Sequence, residues 1–125
     1  MNSDNLTSVL KNLHTLSPYI IGSGILTKEG MILESSLIKE QDEDVVAASG
    51  AALSDIAGQI ALRIFRGNAE AAIVKSDNGF IIVAPCEGKL ILAVIVTLDA
   101  VLNDMIQIVE CTAEVIGQRN FELAA

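Results

Sequence analysis

Basic side chains are scarce in this chain: eight lysines and arginines stand against sixteen aspartates and glutamates, for a formal net charge of −8. Nucleic-acid binding depends on lysine and arginine neutralising phosphates, so nucleic acid is a poor partner for it. Cysteine is equally sparse. Cys86 and Cys111 have no close cysteine neighbour and no histidine at metal-ligand spacing, which leaves no basis for a zinc site, and both read as reduced, buried thiols. Long apolar runs are missing too. The longest uncharged candidate, Leu90 to Val96, has the length of a strand, so no membrane span is expected. The segment Met1-Asn2-Ser3-Asp4-Asn5 lacks the basic and apolar regions of a signal peptide, and a cytoplasmic location follows as the expectation.

What the chain has in excess is apolar surface. Hydrophobic residues make up 51% and charged residues only 19%, more apolar than a small soluble domain needs, which points to an oligomer. Its length fits a single domain over residues 1–125. The excess concentrates between Asp42 and Gly67, which reads as one long helix. At 100° per residue, Val45, Val46, Leu53, Ile56, Ala57, Ile60 and Ile64 share one sector and predict the stripe that lies on the core. Beside it, Ala47, Gly50, Ala51, Ser54, Gly58 and Ala61 form a sector of small residues. Each glycine costs about 0.8–1 kcal/mol relative to alanine in a helix interior, and close packing of another backbone is the usual compensation. That sector is therefore expected on the twin helix of a second subunit. Asp55, Gln59, Arg63 and Arg66 occupy the remaining, wet sector.

Around this helix the order of elements is legible. Leu6, Val9, Leu10, Leu13 and Leu16 recur at three and four residues after Ser3 or Asp4 as N-cap and predict a short amphipathic helix. Tyr19 to Leu26 and Met31 to Ser36 read as two strands joined by the turn Thr27-Lys28-Glu29-Gly30. The acidic run Glu40-Gln41-Asp42-Glu43-Asp44 is helix-start chemistry, with Asp42 or Asp44 as the cap. Gly67 is placed as the left-handed residue closing the helix. Three strands follow over Ala69 to Ser76, Phe80 to Pro85 and Lys89 to Thr97, with Asp77-Asn78-Gly79 as a hairpin turn. The run from Leu90 to Val96 is apolar on both alternate faces and so requires helices on both sides of the sheet. Asp99 is expected to cap a last helix reaching about Gly117. The order is α-β-β-α-β-β-β-α.

Catalytic signals are weak. Gly22-Ser23-Gly24 has neither the spacing nor the lysine of a phosphate loop and precedes more strand. His14 is the single histidine, and nothing in its spacing to Cys86 or Cys111 demands a nucleophile and base pair. Arg63 and Arg66 lie near a helix C-terminus, where basic groups favour the dipole. No catalytic residue, metal ligand or cofactor is assigned.

The leading leucine-rich helix, the strand Ile20-Ile21-Gly22-Ser23-Gly24-Ile25-Leu26 with Lys28-Glu29-Gly30-Met31-Ile32, the alanine-rich Ala47-Ala48-Ser49-Gly50-Ala51-Ala52-Leu53, and Gly79-Phe80-Ile81-Ile82-Val83-Ala84-Pro85 together resemble the Roadblock/LC7 family. That group includes dynein light chains and bacterial regulators of small Ras-like GTPases. The resemblance implies an α+β fold: a five-stranded antiparallel sheet with the first and last helices on one face and the long helix on the other. It also implies a homodimer in which the strand after the long helix pairs with its symmetry mate while the long helices pack together. The interface it implies combines Ala47, Gly50, Ala51, Ser54, Gly58 and Ala61 with Ala71, Ala72, Ile73 and Val74. Such a dimer is expected to be a non-enzymatic platform for a small Ras-like GTPase, and bacterial relatives accelerate GTP hydrolysis by remodelling it. Asp55, Gln59, Arg63 and Arg66 are the expected partner contacts. The rival readings are a constitutive adaptor of the motor light-chain type and a small-ligand sensor using His14 or a cysteine.

Overall fold

The computed structural model describes the backbone of residues 2–124 and the side chains of residues 5–119. Its elements are α1 (Asn2–Leu16), β1 (Ile20–Thr27), β2 (Ile32–Ser36), α2 (Glu43–Phe65), β3 (Ala72–Lys75), β4 (Phe80–Cys86), β5 (Leu90–Val96) and α3 (Leu102–Ala124). The five strands form one antiparallel sheet in the order β2-β1-β5-β4-β3. The expected order and α+β class hold.

Alternation along the strands divides the core in two. Leu90, Leu92, Val94 and Val96 of β5 join Phe80, Ile82 and Ala84 of β4 beneath α1 and α3, which contribute Leu10, Leu13, Val109 and Ile116. Ile91 and Ala93 join Leu26 and Val83 on the opposite face, beneath Val46, Ala47 and Ala51 of α2. The doubly apolar central strand is thus covered on both sides, as its composition requires. β5 lies between β1 and β4, and β2 and β3 are the edges.

Turn chemistry fixes the hairpins. Gly30, at φ 89°, donates its N–H to the Thr27 carbonyl at 3.0 Å and closes the first. Ser76 N–H donates to the Gly79 carbonyl at 2.8 Å in the second, where a Cβ on Gly79 would lie 2.9 Å from the Val96 carbonyl oxygen. At the β2 edge the ladder is irregular. Ile25 pairs with Glu34 but Leu26 with Ile32, so Leu33 bulges out of register.

Several local expectations are corrected. The first helix already begins at Asn2, so Ser3 and Asp4 stand inside its first turn. β3 is confined to Ala72–Lys75 within the expected 69–76. Asp99 sits in a turn before α3, which continues past Gly117 to Ala124. Cys111 is exposed, whereas Cys86 is buried as expected.

Candidate functional site

α2 dominates the surface. Asp42 caps it, its carboxylate accepting from the N–H groups of Asp44 at 2.9 Å and Val45 at 3.2 Å. At the other end the left-handed residue is Arg66, at φ 56°, and not Gly67. Arg66 donates to the Leu62 carbonyl and Gly67 to the Ala61 carbonyl, so two terminal acceptors are satisfied.

The helix is rotated from the orientation its composition predicts. Val46, Ala47, Gly50 and Ala51 face the sheet and are buried. A Cβ on Gly50 would stand 3.3 Å from Leu26 Cδ1 and 3.7 Å from the Ala93 Cβ, so the close backbone approach is to the chain's own sheet. This corrects the expected interface: Ala47, Gly50 and Ala51 belong to the core of one subunit. The reason is steric. Leu26, Val83 and Ile91 already rise from the sheet, and only small helix residues fit above them. Ser54, Gly58 and Ala61 are half-buried along the same flank, and a Cβ on Gly58 would meet nothing within 4 Å.

The displaced sector is correspondingly bare. Of the expected core stripe, Val46 is buried and Leu53 packs partly on the sheet, but Val45, Ile56, Ile60 and Ile64 are 48–67% exposed. They form an apolar ridge along α2, and Leu62 and Phe65 add to the exposed apolar surface at its C-terminal end. By length and composition α2 is also the described helix apolar enough to cross a membrane. One of its faces, however, is packed on the sheet, and Glu43, Asp44, Asp55 and Arg63 punctuate it.

The edge strand β3 pairs only with β4. Ala72 and Val74, opposite Val83 and Ile81, stand on the α2 side of the sheet; Ile73, opposite Ile82, stands on the other. Ile73 and Val74 are exposed, whereas Ala71 and Ala72 are half-buried.

The four polar candidates divide into two pairs. Asp55, Gln59, Arg63 and Arg66 are all exposed. Gln59 Nε2 donates to Asp55 Oδ2 at 3.4 Å, and both line a groove of about 760 Å³. Its other wall comes from Lys28 and Glu29 of the first hairpin turn and from Pro85 at the end of β4. Those residues carry no local signal for a site; only the fold brings them beside α2. Arg63 and Arg66 lie toward the C-terminal end of α2 and do not line the groove.

The rejected chemical candidates are also placed. His14 Nε2 lies 2.8 Å from Ser23 Oγ, and burial lowers its pKa from the ordinary value. Burial pushes the Cys86 thiol up to about 12, far from a reactive thiolate. Among the described residues no three histidine, cysteine, aspartate or glutamate side chains come together as metal ligands.

With this geometry in place, the sequence model of the Roadblock/LC7 domain matches residues 7–96. The chain belongs to the Roadblock/LC7 family. Solved structures extend the likeness to nearly the whole fold. A Roadblock/LC7 domain from Streptomyces avermitilis superimposes with a TM-score of 0.82 at 15% identity, over 94% of this chain and 97% of that one. The gliding protein MglB from Thermus thermophilus gives 0.83 at 11% identity, over 97% and 92%. MglB from Myxococcus xanthus gives 0.80 at 14% identity, over 95% and 89%. Against curated protein sequences the chain finds no match. Membership in the Roadblock/LC7 family, with MglB among the structural neighbours, supports a regulatory or scaffold role.

Proposed function

We propose that this Roadblock/LC7 chain is a cytoplasmic, non-catalytic homodimer that serves as a regulator or scaffold for a small Ras-like GTPase. The observation that carries the reading is the exposed ridge Val45, Ile56, Ile60 and Ile64 on α2. Fully burying a valine or isoleucine side chain contributes about 1.5–3 kcal/mol, so four such side chains left half in water on one helix face favour a partner surface. The dimer contact combines this ridge with Ile73 and Val74 of β3, bordered by Ser54, Gly58, Ala61, Ala71 and Ala72. An unpaired sheet edge is a liability unless something covers it, and pairing two β3 edges satisfies both rows of backbone groups.

The GTPase reading rests on the resemblance to the bacterial regulators, and its contacts are assigned to Asp55, Gln59, Arg63 and Arg66. Asp55 and Gln59 offer polar groups on the lip of a groove, and the two arginines offer charge at the end of the helix. Pulldown against the small GTPases of its own cell, loaded with either nucleotide, tests this. Binding that depends on the nucleotide, or a changed hydrolysis rate, supports a regulator. Capture of one large partner irrespective of nucleotide favours the constitutive adaptor instead.

A further inference from the structure

Two grooves meet where the sheet comes apart. β3 pairs with β4 only from Ala72, opposite Val83, to Lys75, opposite Phe80. Continued backwards, that register would set Ala71 opposite Ala84 and Glu70 opposite Pro85, but residues 68–71 form no strand and Pro85 is exposed. Proline brings no N–H to a ladder and is kept to sheet edges and strand ends, so the last residues of β4 are where β3 can part from its neighbour. The parting leaves a notch at the corner of the sheet.

On the α2 face the notch opens into the groove of about 760 Å³, and on the α3 face into a second of about 480 Å³. Ala69 and Pro85 line both, so one path runs over the sheet corner from one face to the other. Small apolar residues make it deep. Ala48, Ala51, Ala52 and Ile91 line its first part and Ala113 its second, and the open space at Gly58, where a Cβ would meet nothing within 4 Å, belongs to it. Charge collects along it with one sign. Glu70, Glu87, Glu110 and Glu114 line the second groove, with no lysine or arginine among its described lining residues, and Glu29 and Asp55 line the first beside Lys28.

A path that turns over a sheet corner fits an extended chain and not a straight helix, whose body is about 10–12 Å across. Successive side chains of an extended segment point to opposite sides, so small ones can meet the alanines while long basic ones reach the acids. We propose that this path is a docking channel for an extended, basic segment of a partner protein, threaded past Pro85 and Ala69 with its lysines or arginines against the glutamates of the α3 side. It stands apart from the GTPase reading: Asp55 is common to both, whereas Ala69, Glu110 and Glu114 have no part in the contacts assigned there.

A fluorescein-labelled ten-residue peptide of alternating lysine and alanine is the probe, with alternating glutamate and alanine as its control. Fluorescence anisotropy with the intact chain should show saturable binding of the lysine peptide, about tenfold or more tighter than the control. Glu110→Lys with Glu114→Lys should weaken it about tenfold or more, several exposed pairs being lost together. Ala69→Trp fills the junction without touching charge and should weaken it as much, whereas Leu33→Trp, at the opposite sheet edge, should not. Circular dichroism on each variant excludes unfolding as the cause. With no substitution at all, adding the unlabelled peptide should shift the backbone amide resonances of Asp55 and Gln59 on α2, of Ala69, and of Glu110 and Glu114 on α3. Absence of saturable binding, or shifts confined to one face of the sheet, overturns the inference. Binding that the charge reversals abolish and Ala69→Trp leaves intact is attraction to surface charge alone and overturns it too. So does binding seen only at dilutions where sedimentation finds a monomer, because a second copy of this chain then fills the channel.

Discussion

His14 Nε2 lies 2.8 Å from the hydroxyl of Ser23, a residue with no exposed surface, and so ties α1 to the centre of β1. About two turns earlier on the same helix, Thr7 Oγ1 donates to Glu34 Oε2 at 2.7 Å, tying α1 to β2. Both contacts sit on the flank of α1 facing the irregular sheet edge.

Because burial lowers the His14 pKa, the unfolded chain takes up this proton before the folded one does. Stability from the neutral ring is therefore fully present above the unfolded value of about 6.5 and is lost as pH falls toward the lower folded value. Thermal melts of the protein and of His14→Gln should differ by a constant amount above about pH 7 and diverge against the unaltered protein toward about pH 5. Curves that stay parallel across that range would sink the assignment.

The two glycines of α2 should respond in opposite directions. Gly58→Ala meets nothing within 4 Å and gains helix propensity, so urea unfolding should show about 0.8–1 kcal/mol of added stability. Gly50→Leu drives a side chain into Leu26 and Ala93 and should cost about 1–3 kcal/mol. Equal effects at the two positions would contradict the rotation of the helix described above.

Charge on the ridge tests the dimer directly. Ile60→Asp alters an exposed side chain twice per dimer. Ile60 is 48% exposed, so about half of a full isoleucine burial of about 1.5–3 kcal/mol is lost in each copy, which predicts a dissociation constant at least about 10 to 10² times higher. The melting temperature of the separated chain should change little, since this side chain is 48% exposed in the monomer fold. Loss of folded structure, in place of loss of the dimer, would mean that Ile60 belongs to the core.

The two thiols should be kinetically distinct. Exposed Cys111 is accessible, whereas Cys86 is buried with its pKa pushed up to about 12. An aromatic disulfide reagent at about pH 8 should titrate one thiol in the native protein and two in denaturant. Modification of the native Cys111→Ser variant would count against this.

Much of the fold was legible in the sequence because its signals are local. Period-two strands, Gly30 and Gly79 at their turns, and Asp42 at a helix start each act within a few residues. The orientation of α2 was not, since two adjacent sectors of one helix are both apolar and periodicity does not say which neighbour takes which. That choice is made by Leu26, Val83 and Ile91, distant in sequence, whose height above the sheet admits Gly50 and excludes Ile60. The groove was illegible for the same reason: Lys28, Pro85 and Asp55 meet only after the chain has folded. Arg66 in place of Gly67 as the left-handed residue shows a third limit, a shift of one residue at a helix end.

The bulge at Leu33 has a consequence for how large an assembly can grow. A sheet with two equally receptive edges is a repeating unit, and copies that join at one edge can go on joining at the other. Here the free edge of β2 is out of register where Leu33 intrudes, which spoils the ladder an incoming strand needs. β3 carries no such defect. In the dimer proposed above, growth through β3 would consume the regular edge of each copy at the first step and stop there, giving a closed particle where an unblocked sheet would give a fibre.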